Sequence, residues 1–181
     1  HKQAMIREVL EDYEANGIEL DFMFRPPFFR KAEVEQGIPL MNKFVAEVRQ
    51  IANEIGEKQK REITVMARVF HKKEANLEVG LDVEAWLKAG SLDFVVGQVS
   101  ATLFETGIVD GRWLADAANA AGTAAYLRPA HIVYDERTIF PHIEMFRALR
   151  QTLAWQGFAG MYLGYLPWPF SHDQYQILRE V

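Results

Sequence analysis

The sequence predicts an α/β fold of the (β/α)8 or TIM barrel type, present as a partial barrel of about its last five βα units. Three observations predict it. Strand-like apolar runs start near residues 18, 63, 93, 123 and 159, with helical segments between them. A repeat of roughly 30–45 residues suits parallel strands joined by helical crossovers. No Gly-rich turn follows the first strand, as a doubly wound nucleotide-binding sheet would want; Asp21 is followed by Phe-Met-Phe-Arg-Pro-Pro. The third observation is where the polar residues fall. Asp21, Arg68, Gln98 and Arg128 stand at the carboxyl ends of their strands and Tyr165 near the last, the end at which such barrels gather their chemistry. A closed barrel takes about 250 residues and the chain has 181. The expectation is one domain over 1–181 with the first three strands missing, and unpaired edges on strands 18–22 and 159–166.

The elements follow in order. Residues 2–15 place Met5, Ile6, Val9, Leu10 and Tyr13 at helical spacing, with Asn16-Gly17 as the stop. The strand at 18–22 leads into a loop over 23–38 that holds Pro26-Pro27 and opens among Phe22, Phe24, Phe28 and Phe29. Pro39 suits the first position of a long helix whose face is Leu40, Phe44, Val48, Ile51 and Ile55. Lys58 to Arg61 close it with positive charge, which suits the helix dipole. Strand 63–70 comes next, then a short helix capped by Asp82 and running through Ala89. Strand 92–99, an Ala-rich helix at 112–121, strand 123–127, a helix opened by Pro141, strand 159–166 and a helix at 173–180 complete the pattern.

Bulk properties narrow the function. The chain is 49% hydrophobic with a net charge of −5, a composition with enough apolar surface for one core. It carries no basic stripe, so nucleic acid is not an expected partner. No run approaches 18 apolar residues, so no membrane partner is expected. Cysteine is absent, which removes disulfides and thiolate sites. The chain opens at His1 with neither an initiator Met nor a signal-peptide pattern, and the expectation is that it starts inside something longer.

Within Gly17-Ile-Glu-Leu-Asp-Phe, Glu19 and Asp21 are two apart and share one face of a strand. Two adjacent acids on an apolar strand repel and are costly to bury, which points to a site at a barrel mouth. That segment, with Gly80-Leu-Asp-Val-Glu-Ala-Trp, Leu92-Asp-Phe-Val-Val and Gly160-Met-Tyr-Leu, resembles the carboxyl half of glycosyl-hydrolase-like barrel proteins of the family-10-like group. The resemblance covers nearly all 181 residues. It implies strands four to eight of a barrel and a glycoside as substrate. Relatives are expected to carry an Arg directly after the Met that follows the first motif; here Phe24 stands between Met23 and Arg25, the candidate for that role.

Glycoside hydrolysis needs two carboxyls flanking the scissile bond. Asp21, at the strand end, is the candidate acid/base. Glu19 lies one layer deeper, either as its support or as a barrel charge paired with Arg68. The last-but-one strand, which ends Leu127-Arg128-Pro129, offers no second acid; Glu105, Asp135 and Glu136 lie on loops of the same face. Arg68 and Arg128 are suited to sugar hydroxyls or a substrate carboxylate, or else to neutralising the two acids. Gln98 is a hydroxyl binder. Tyr126, Tyr162, Tyr165 and Trp168 suit a stacking wall, and otherwise are core. His71 and His131 follow strands and are substrate contacts or solvated loop residues. The histidines form no metal set, and no metal or cofactor is expected. Two other readings stay open: a carbohydrate-binding barrel without hydrolysis, and a fragment inactive without its parent.

Overall fold

Strand residues that alternate between two faces set the architecture. The computed structural model describes residues 1–13, 15–99, 110–129 and 142–163, together with Gln176 and Arg179. Five strands form one sheet: β1 (Gly17–Asp21), β2 (Thr64–Phe70), β3 (Phe94–Gln98), β4 (Ala124–Arg128) and β5 (Gly160–Met161). They lie in sequence order, and each neighbouring pair is parallel. Six helices with bounds among the described residues accompany them: α1 (Lys2–Asp12), α2 (Val34–Gln59), α3 (Lys73–Glu78), α4 (Val83–Lys88), α5 (Arg112–Ala120) and α6 (Ile143–Trp155). The chain is thus α/β with an all-parallel sheet flanked by helices. No helix among the described residues is long and apolar enough to cross a membrane.

The core lies on one side of this sheet. Leu20, Val65, Ala67, Val69, Val95, Ala125, Leu127 and Met161 point to it and pack with Leu10 of α1, Val48 and Ile55 of α2, Trp86 of α4, Leu114 of α5 and Leu149 of α6. Met66 and Val96 alternate to the other side; they too are buried, but outside that cluster. All the large helices therefore cover the same face. Simple sequence order explains this, because successive right-handed crossovers to the next strand return each helix to the same side. A doubly wound sheet reverses its strand order to fill both sides.

Besides α3 (Lys73–Glu78), a helix absent from the sequence expectation, two element bounds depart from it. The long helix begins at Val34, after a 3-10 turn at Lys31–Glu33, so Pro39 sits inside α2 rather than at its first position. Packing explains the earlier start: the ring of Phe29 lies where a Cβ on Gly37 would be, 2.5 Å away, so this glycine admits the aromatic plug that holds the first turn down. Strand β5 covers only Gly160–Met161 of the expected 159–166; positions 164–166 lie outside the described residues, as do Pro141 and all of the helix expected at 173–180 except Gln176 and Arg179. The helix after Pro141 is described from Ile143. Among the described residues β1 pairs only with β2, and β5 only with β4.

Candidate functional site

The face without helices collects the polar strand residues. Its rows follow the pairing register. Glu19, Met66, Phe94 and Ala124 lie abreast, then Asp21, Arg68, Val96, Tyr126 and Gly160, then Phe70, Gln98 and Arg128. Side chains of a strand alternate, so all of these share one face. Among strand residues on this face Glu19 and Asp21 are the only acids, and both belong to β1.

Arg68 is the hub. Its Nε stands 3.1 Å from Glu19 Oε1 and 3.3 Å from Asp21 Oδ1, and its terminal nitrogen donates to Asp21 Oδ2. Asp21 also accepts the backbone N–H of Met23 at 2.9 Å, so the strand end turns over its own carboxylate. Arg68 keeps its charge firmly: burial works against it, but its bond to Asp21 and the charges of Asp21 and Glu19 raise its pKa. One guanidinium thus neutralises both acids, which removes the repulsion that adjacent carboxylates otherwise carry.

Glu19 has a second partner from the far side. The phenol of Tyr162, the residue after β5, donates to Glu19 Oε2 at 2.7 Å. Burial and this bond raise the pKa of the phenol. In a flat sheet, β1 and β5 would stand about 19 Å apart, four strand spacings. A tyrosine and a glutamate reaching toward each other with a hydrogen bond between them span roughly 14 Å at most. The sheet is therefore curved, with this polar face on its concave side.

The remaining candidates divide. Tyr126 shares the row of Asp21 and Arg68, and its ring meets Phe94 edge-on with centroids 5.5 Å apart. Gln98 and Arg128 are register partners in the next row. The side chain of Arg128 is partly buried with its Nε enclosed and unpartnered. Burial, then the charge of Arg68, lower its pKa. His71 does not join them. Its ring Nδ1 is 3.1 Å from the Gln98 carbonyl oxygen, its backbone carbonyl accepts from the Trp113 indole at 2.6 Å, and its Cα lies near Gly97 on the helix side. An odd spacing of three from Arg68 already signals the opposite face. Arg25 is exposed, has a positive φ of 67°, and lies 5.4 Å over the ring of Phe24, away from the cluster. Tyr165, Trp168, His131, Glu105, Asp135 and Glu136 lie outside the described residues. No group of three His, Asp or Glu side chains among the described residues is placed to hold a metal ion.

Tyr162 as partner of Glu19 is what sequence reasoning missed. The signal available was its spacing of two from Gly160, which puts both on the concave face. The chain matches no protein-family model and no curated protein sequence.

Proposed function

We propose that this chain supplies five of the eight strands of a (β/α)8 barrel, and that its concave mouth binds and cleaves a glycoside with Asp21 as acid/base. The register supports the barrel. In an eight-stranded barrel of shear eight, each strand adds one residue of stagger, and layers are built from alternate strands. Asp21 is in register with Gly160, so Glu19 and Tyr162 are offset by two residues on each strand, four in all. Four strands at one residue each is the same offset, so the bond joins two side chains of one layer across the lumen. Val96 falls in that layer too, Arg68 pairs with Arg128 in the layer from the even strands, and Asp21 with Gln98 in the next. Closure takes three strands more than are described.

The observation that carries the activity is the Asp21–Arg68–Glu19 network at the carboxyl ends of these strands. Asp21 is nearer the mouth, while Arg68 and Tyr162 hold Glu19 below it. To protonate a leaving oxygen, Asp21 must first take up a proton from solvent and release that oxygen from Arg68 to the substrate; Glu19 then retains the guanidinium. The family-10-like glycosyl-hydrolase resemblance of the motifs points the same way. The test is turnover by the full-length polypeptide and its Asp21→Asn variant. Natural oligosaccharides should lose about 10²–10⁴-fold, and aryl glycosides with good leaving groups less, because they need little protonation. Unchanged turnover on both substrate types would remove Asp21 from catalysis.

A second reading, sugar binding without cleavage, is favoured by one observation: a single arginine neutralises both acids of this face. Oligosaccharide binding by both forms, with turnover by neither, would establish it.

A further inference from the structure

Among the described residues the concave face holds two guanidiniums, and one of them is matched by carboxylates. Five of the described arginines are partly buried: Arg7, Arg49, Arg61, Arg68 and Arg128. Arg7 pairs with Glu54 and Glu11. Arg49 bonds Asp93 and the carbonyls of Ser91 and Ile63. Arg61 bonds the carbonyls of Leu10 and Ala15 and the side chain of Gln59. Arg68 holds Asp21 and Glu19. The Arg128 side chain has no hydrogen bond or ion pair among the described residues, and its Nε is enclosed without a partner. A guanidinium stays charged, so a partly buried one without a direct ion pair bears a desolvation cost that the more distant charges of Asp21 and Glu19 offset only in part.

We infer that Arg128 receives the oxyanion of an acidic sugar, so that the substrate is an oligosaccharide bearing a hexuronate or a sulfate ester. This rests on the carbohydrate reading above and narrows it. A planar fork matches a carboxylate or sulfate with two parallel bonds. Gln98, its register partner, stands beside it to meet a ring hydroxyl. Charge limits the ligand further. One unmatched cation beside two carboxylates, in a chain of net charge −5, suits a sugar with one charge at this subsite and disfavours a densely anionic polymer such as nucleic acid.

Titration calorimetry at low ionic strength tests it on the full-length polypeptide, with trigalacturonate, a sulfated galactotriose and neutral galactotriose as probes. One acidic trisaccharide should bind about ten- to a hundredfold more tightly than the neutral one; which of the two does so separates carboxylate from sulfate. Arg128→Gln should abolish that margin, so that acidic and neutral trisaccharides bind within a few-fold of each other, while Arg128→Lys, a point charge without the fork, keeps part of it. Far-UV circular dichroism confirms that the variants fold. Equal binding of acidic and neutral trisaccharides, or an acid preference that survives in Arg128→Gln, would overturn the inference and leave the glycoside reading standing. Failure of all three to bind would overturn both.

Discussion

Replacing Arg68 by Met keeps most of the volume of the side chain and removes the one cation that serves two acids. Arg68 is 19% exposed in its side chain, Glu19 28% and Asp21 31%. Removing one partner of a fully buried pair costs about 3–5 kcal/mol. Here each group keeps some water, so roughly 3 kcal/mol is expected from the lost charge-assisted bonds and the two carboxylates left facing each other. For a chain of this size that is a fall in Tm of about 6–12 °C. The assay is urea unfolding at neutral pH followed by circular dichroism. The same substitution in a Glu19→Gln, Asp21→Asn background should cost much less, because neutral amides neither repel nor need the cation. A loss within about 0.5 kcal/mol, the range of an ordinary surface change, would show that Arg68 does not hold the strand ends together. So would an equal loss in both backgrounds.

Two further outcomes follow from the packing. Gly97→Ala should destabilise by about 1–3 kcal/mol, read as a lower urea midpoint, because its Cβ would lie 2.8 Å from Leu114 Cδ2 and 3.4 Å from the backbone of His71; the leucine tip can move, but the His71 backbone is pinned to Gln98. The raised phenol of Tyr162 contributes stability that is fully present below the unfolded value of about 10 and is lost as pH rises through the higher folded value. Tyr162→Phe should therefore flatten the fall in stability measured as pH rises above about 10; a wild-type curve identical to that of the variant would show that the Glu19 bond does not hold the proton.

Much of the fold was legible in the chain because it rests on local periodicity. Alternating runs such as Thr64–Phe70 bury Val65, Ala67 and Val69 on one face, and helices such as Ile143–Trp155 carry one apolar stripe, so element type and order follow from spacing alone. Parallel pairing followed as well, since connections this long that contain a helix return the chain in the same direction. The start of α2 did not, because Pro39 and Gly37 argue against a helix locally and only the ring of Phe29, packed on Gly37, reverses that.

For the site, the two-residue period of a strand is enough to put Glu19 and Asp21 on one face, and the strand bounds are enough to put Arg68, Gln98 and Arg128 toward the carboxyl ends. Three things were decided by tertiary structure. One arginine takes both acids, Arg128 takes neither, and Tyr162 closes on Glu19 from 143 positions away. These depend on register between strands and on the curvature of the sheet, which arise from the packing of all five strands against the helices and leave no mark in any single stretch of sequence.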